Sequence, residues 1–186
     1  MPTTQLLDQI IQELAQTARV VADADVDKLA EEILRSRKVF VAGAGRSGLM
    51  MRAFAMRLMQ LGIDAYVVGE TVTPNLDQGD LLLIGSGSGE TKSLIPMAEK
   101  ARSLGGTVAV ITISPESAIG RLSTLIIKLP GAAKDHSGGQ SSITIQPMGA
   151  LFEQTLLLFG DTVILKMMEK QGLNTKAMFG RHANLE

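Results

Sequence analysis

The stretch Gly85-Ser86-Gly87-Ser88-Gly89-Glu90-Thr91 sets three hydroxyls among three glycines, directly after the apolar run Leu81-Leu82-Leu83-Ile84. Glycines let backbone amides approach a ligand closely. A helix opening after such a loop adds N–H groups that lack intrahelical partners and lie at the positive end of its dipole. Together these features make a cradle for a phosphate group. The stretch lacks the dinucleotide spacing GxGxxG, and no GK[ST] follows it to make a nucleotide loop. The chemistry indicated is binding of a small phosphorylated metabolite. An ordinary Gly/Ser turn with a helix cap is the competing reading.

A second loop, Gly43-Ala44-Gly45-Arg46-Ser47-Gly48, repeats the arrangement after another apolar run. By itself it also fits a plain strand-to-helix turn. Arg46 is the informative residue. A cation at a helix N-terminus is disfavoured by a few tenths to ~1 kcal/mol unless an anion lies close. A bound phosphate or a neighbouring carboxylate reverses that sign; a solvated arginine is the alternative. Further along, Glu153 stands in the otherwise apolar helical stretch Leu151-Phe152-Glu153-Gln154-Thr155-Leu156. A lone carboxylate on such a helix is a candidate general base, or else half of an ion pair at a subunit contact. Glu70 is a reserve acid–base candidate, with a cap or salt bridge as its bland role. His136 lies in a polar stretch and reads as solvated.

These residues need a scaffold, and the chain alternates two periodicities. Leu6, Leu7, Ile10, Ile11 and Leu14 fall at helical spacing. Asp25 is placed to cap a second helix carrying Leu29, Ile33 and Leu34. Strands are expected at 38–42, 64–68, 81–84, 107–112 and 125–129. Helices are expected at about 47–61, after the strand at 81–84 to about 104, and at 117–122. Short apolar strands alternating with helices argue for a parallel sheet covered on both faces. Both glycine loops then lie at the carboxyl edge of that sheet, where open α/β sheets bind ligands. The chain divides into N-terminal helices (1–37), a core (38–130), a polar loop (131–146), and a C-terminal helix and tail (147–186), all within one domain. Pro147 suits the first turn of the last helix. That helix is apolar nearly all round, so it is expected to pack partly against another subunit.

Composition narrows the class. Across 186 residues, 18 basic and 19 acidic side chains leave a formal charge of −1, which gives no electrostatic case for nucleic acid or an anionic membrane. With no cysteine and only His136 and His182 as histidines, thiolate chemistry is excluded and a histidine metal centre is not expected. No apolar run is long enough to span a bilayer, and the first residues do not follow the pattern of a secretory leader. A cytoplasmic location is expected.

The residues also carry a resemblance. Gly43-Ala44-Gly45-Arg46-Ser47-Gly48, the motif SGSGET and a helix bearing Glu153 are similar to the sugar isomerase (SIS) domain family. The segments AGAGRSGLM, GDLLLIGSGSGETKSL, IQPMGALFEQTLLLF and the ending HANLE resemble the 6-phospho-3-hexuloisomerase family along essentially the whole chain. The resemblance implies a three-layer αβα sandwich with a five-stranded parallel sheet of flavodoxin-like order. It implies tetramers whose active sites lie near subunit boundaries. The implied reaction interconverts D-arabino-3-hexulose 6-phosphate and D-fructose 6-phosphate beside a partner 3-hexulose-6-phosphate synthase, in formaldehyde fixation through ribulose monophosphate. A cis-enediol route needs no redox cofactor and no metal. Ser47, Ser86, Ser88 and Thr91 match hydroxyl positions that hold the sugar phosphate in the family, with Arg46 beside them. Gly87 replaces a glutamine seen in glucosamine-6-phosphate synthases. Glu153 matches the catalytic carboxylate, and His182 is implied as a second catalytic group. Glu90 is expected to be structural, bonded to N–H groups of its own loop. Two readings remain beside this one: a neighbouring arabinose-5-phosphate or sedoheptulose-7-phosphate isomerase, and a non-enzymatic sugar-phosphate sensor.

Overall fold

Five apolar runs pair into one sheet in a computed structural model that describes residues 1–131 and 144–185. The strands are β1 (Val39–Gly43), β2 (Ala65–Val67), β3 (Leu81–Gly85), β4 (Thr107–Thr112) and β5 (Leu125–Lys128), all parallel, in the order β2-β1-β3-β4-β5. Side chains alternate across a strand. Val39, Val41, Leu81, Leu83, Ala109 and Ile111 therefore enter one apolar cluster, and Phe40, Ala42, Leu82, Ile84, Val108 and Val110 enter another. Because both faces are covered, the strands read as continuous apolar runs rather than alternating ones.

On the first face lie α2 (Asp23–Arg35), α3 (Gly45–Leu61) and α6 (Ala150–Gln171); α4 (Ile95–Ser103) and α5 (Ala118–Leu122) cover the second. The amphipathic helix α1 (Thr3–Ala18) lies outside against α6, and the short α7 (Thr175–Phe179) follows α6 and meets α3. The expected αβα sandwich is the fold observed. Helix α6 is sheathed by α1, α2 and α3 more fully than its composition led us to expect, and leaves Leu158 and Leu165 exposed.

Three local expectations need correction. Asp25 does not cap α2: the helix begins at Asp23 with Ala22 as its N-cap, and Asp25 lies inside the first turn. A carboxylate there still favours the helix dipole. Pro147 precedes α6 instead of opening it. Its carbonyl accepts the Ala150 amide, and the left-handed pair Met148 (φ 56) and Gly149 (φ 81) turns the chain before the helix starts. The loop after β3 does not run straight into α4 either. A turn intervenes, in which the Thr91 carbonyl accepts the amides of Leu94 and Ile95. Of the polar loop expected at 131–146, residues 132–143 with His136 lie outside the described residues.

Candidate active site

The sheet order brings the two glycine loops together. Strands β1 and β3 are neighbours, with Gly43 in register with Gly85, so both loops leave the same sheet edge side by side. Chain connections diverge there, with β1 leading outward to β2 and β3 inward to β4, which makes it the topological switch point.

The loop after β1 turns sharply into α3. A Cβ on Gly48 would lie 2.6 Å from the Gly43 carbonyl oxygen, so strand and helix touch backbone to backbone. Gly43, Gly45 and Gly48 have the GxGxxG spacing, which the sequence reading did not single out when it weighed this loop as a second cradle or a plain turn; the last glycine serves this close strand–helix packing. Ser47 is buried in the first turn of α3. Arg46 beside it reaches across to α6, where its Nη1 lies 3.0 Å from Glu153 Oε2. Of the alternatives weighed for Arg46, a neighbouring carboxylate is present, and it is Glu153. The pair is asymmetric: the Glu153 side chain is 3% exposed and that of Arg46 53%.

The loop after β3 is held from inside and from the side. Ser86 is buried; its Oγ accepts the Gly89 amide at 3.2 Å and shares a hydrogen bond with Thr91 Oγ1 at 3.2 Å. Ser88 is exposed, and its Oγ accepts the Glu90 amide. Thr112, at the end of the adjacent β4, donates its hydroxyl to the Gly87 carbonyl at 3.0 Å. Gly89 has φ +64, and a Cβ there would fall 1.9 Å from Ser117 Oγ. Glu90 is structural in a different way from that expected: its Oε1 accepts the Ala118 amide at 2.7 Å, at the start of α5. Thr112 and Ser117 are supports that the sequence reading missed. Ser117 had a local signal, since it is the N-cap of α5 and accepts the Gly120 amide. Thr112 had none beyond its place at a strand end.

Helix α6 delivers Glu153 through Phe152 and Leu156. A Cβ on Gly87 would lie 3.2 Å from the Phe152 ring, and one on Gly85 3.0 Å from Leu156. The first turn of α6 thus leans on the end of β3 while Arg46 holds its carboxylate from α3. The structure collects Arg46, Ser47, Ser86, Gly87, Ser88, Thr91 and Glu153 at one edge of the sheet. A hydroxyl-lined loop, a guanidinium and a buried carboxylate together can anchor a phosphate ester and move a proton on the adjoining carbon chain.

Glu70 follows the end of β2 at the margin of this same sheet edge, in an exposed ion pair with Arg52 at 2.6 Å. One candidate is not brought there. His182 lies past α7, at the far end of α6. That helix has 22 residues, about 33 Å at 1.5 Å each, and Glu153 stands in its first turn. The tail is tied to the other end of α3, where Arg181 Nη1 donates to the Leu61 carbonyl. The His182 ring is exposed, against Phe179. Within one chain His182 does not meet Glu153. Among the described residues no group of three His, Cys, Asp or Glu side chains is arranged to hold a metal ion.

The SIS domain model matches residues 32–158. The chain is 59% identical to the 3-hexulose-6-phosphate isomerase of Bacillus subtilis, over 100% of both chains. It is 40% identical to that of Mycobacterium gastri, over 98% of this chain and 91% of the relative. A crystal structure of a Methanococcus jannaschii protein superposes with a TM-score of 0.83 at 34% identity, over 97% of this chain and 98% of that one; a function of 3-hexulose-6-phosphate isomerase has been inferred for it.

Proposed function

We infer, from the premise that this chain belongs to the SIS domain family, that it is a sugar-phosphate isomerase interconverting D-arabino-3-hexulose 6-phosphate and D-fructose 6-phosphate. The observation that carries the reading is its end-to-end similarity to the Bacillus subtilis isomerase; the edge-on cluster of hydroxyls, Arg46 and Glu153 supplies the chemistry.

The carbonyl moves from C3 to C2 as a proton moves from C2 to C3. Glu153 removes the C2 proton, the C3 oxygen becomes the enediolate oxygen, and the same carboxyl returns a proton to C3. Ser47, Ser86, Ser88 and Thr91 hold the phosphate with the loop backbone. Arg46 has donors to spare beyond its bond to Glu153, and its exposed edge faces outward, where it can stabilise an enediolate oxygen. The proton exchanged between the two oxygens needs a second carrier. We assign this role to His182 of a neighbouring copy, within a homotetramer. Apolar side chains left uncovered on α1 (Leu6, Leu7, Ile11) and α6 (Leu158, Leu165) support self-association. A sugar phosphate made by a 3-hexulose-6-phosphate synthase is the substrate, and we place the protein in the cytoplasm, where such metabolites are made and used.

The deciding experiment couples the two steps. Formaldehyde and ribulose 5-phosphate are condensed by the synthase, this protein is added, and fructose 6-phosphate is followed. Formation dependent on this protein is expected. No fructose 6-phosphate, with turnover of arabinose 5-phosphate or sedoheptulose 7-phosphate instead, would move the assignment to a neighbouring isomerase.

A further inference from the structure

One carboxylate outside the site ties helix α1 to the segment that leads into α6. Thr144 Oγ1 donates to Glu13 Oε2 at 2.6 Å, the Ile145 amide to Oε1 at 2.7 Å, and Gln146 Nε2 to Oε2 at 2.9 Å. The Gln146 amide donates in turn to Thr144 Oγ1 at 2.9 Å, so the three residues close around the carboxylate. Helix α1 is otherwise lightly held: it buries Thr17 and leaves Leu6, Leu7 and Ile11 exposed. Burial alone would raise the Glu13 pKa, but the bonds from Thr144, Gln146 and Ile145 outweigh it and hold the carboxyl below its ordinary range. The acceptor is therefore a charged one, and its hydrogen bonds are of the stronger kind.

The segment it grips has little slack before the helix. Pro147 restricts its own φ, Met148 is a non-glycine residue in the left-handed region, and Gly149 follows at φ 81. The next turn begins with the Ala150 amide on the Pro147 carbonyl, and the Glu153 amide donates to the Gly149 carbonyl at 3.2 Å. A shift of Thr144–Gln146 is therefore passed to the first turn of α6, where the Glu153 carboxylate meets Arg46.

We propose that Glu13 is a positioning residue: by gripping Thr144–Gln146 it sets the entry of α6 and hence the place of the Glu153 carboxylate against the substrate. The proposal rests on the reading of Glu153 as the base. Phosphate anchoring, which lies on the loops after β1 and β3, is left untouched by it.

The test measures kcat and KM for fructose 6-phosphate with the full chain, in Glu13→Gln, Gln146→Leu, Glu153→Gln and the double variant Glu13→Gln/Glu153→Gln. Misplacement of a reacting group by about 1 Å can cost about 100-fold. We expect kcat of Glu13→Gln and Gln146→Leu to fall by about 10- to 100-fold on that scale, with KM nearly unchanged. Adding Glu13→Gln to Glu153→Gln is expected to cause no further loss, because the group being positioned is already gone. A proportional loss in both backgrounds, or a rise in KM at constant kcat, would overturn the proposal and leave Glu13 a general stabiliser. If Glu13→Gln does not fold, Gln146→Leu, which breaks the clamp from the other side, decides the matter alone. Full turnover in Glu153→Gln sinks the base assignment and this proposal together. An inactive Glu153→Gln beside fully active clamp variants sinks the proposal only.

Discussion

Glu153 and Arg46 differ sharply in exposure, and the difference sets what each can do. The carboxylate is enclosed at the first turn of α6, so it is held in place. The guanidinium is half in solvent and can reorient toward a bound oxygen. Glu153→Gln keeps the size and removes the carboxylate proposed as the base. Turnover is expected to fall by about 10²–10⁴-fold, the usual scale of general acid–base catalysis, with KM little changed. Exchange of the C3 proton of fructose 6-phosphate with deuterated water should fall in parallel, since it needs only proton abstraction. Normal exchange in that variant would assign the base elsewhere. The two loop serines should separate likewise. Ser88 is exposed and, among the described residues, bonds within its turn, so Ser88→Ala should raise KM for phosphorylated substrate while leaving Tm alone. Ser86 is buried and holds both Gly89 and Thr91. Ser86→Ala leaves those groups short of a partner, which is worth about 1–3 kcal/mol, and should lower Tm as well as affinity. Equal Tm values for the two variants would contradict this division.

At the scale of elements, the site depends on how three helices enter it. The turn after β3 requires glycine at position 89, where a left-handed backbone and the Ser117 hydroxyl leave no room for a side chain. Gly89→Ala should cost about 1–3 kcal/mol from backbone strain, read as a lower denaturant midpoint, and should weaken substrate binding. The entry to α6 is also sensitive to pH through Glu13. Its donors, Thr144, Gln146 and the Ile145 amide, are neutral, so the clamp loosens when the carboxylate is protonated. The folded-state pKa is lowered. Its stabilisation is therefore complete above the unfolded carboxyl pKa and is lost as pH falls through the lowered folded value. Hydrogen exchange at the Ile145 amide should speed up on acidification beyond the intrinsic trend, and Glu13→Gln should remove that pH dependence. An unchanged pH profile in the variant would show that the clamp does not titrate there.

At the scale of the whole molecule, the distance between His182 and Glu153 becomes a prediction about assembly. If His182 works in the site of a neighbouring copy, Glu153→Gln and His182→Asn disable different contributions to shared sites. Co-expression of the two variants should restore activity that neither shows alone, because mixed oligomers contain some sites with both groups intact. No restoration, in oligomers shown to be mixed, would rule out the exchange. Light scattering should give four copies per particle. Leu165→Glu, at an uncovered position on α6, should reduce that number if this face is buried between copies.

Much of the scaffold was legible from residues alone, because burial on both sides of a parallel sheet writes itself locally as apolar runs bounded by glycine. Leu81–Ile84 and the loop after it are the clearest case. The two loops could likewise be placed on one edge, since successive parallel strands must end on the same side. The resemblance of SGSGET and IQPMGALFEQ to known isomerases pointed to the activity. Partner choice was not legible. Nothing in the stretch around Glu90 says that its carboxylate ends on the first turn of α5, and nothing around Glu13 says that it grips residues 131 to 133 positions away. The start of α6 was misplaced because Pro147 has a strong local preference for a first turn, while Met148 and Gly149 adopt left-handed conformations that turn the chain before the helix. The position of His182 depended on the length and direction of α6 and on Arg181 reaching the end of α3. Periodicity records whether a residue is buried. Which residue it meets is decided only when remote elements pack, and the pairing of Arg46 with Glu153 was settled at that level.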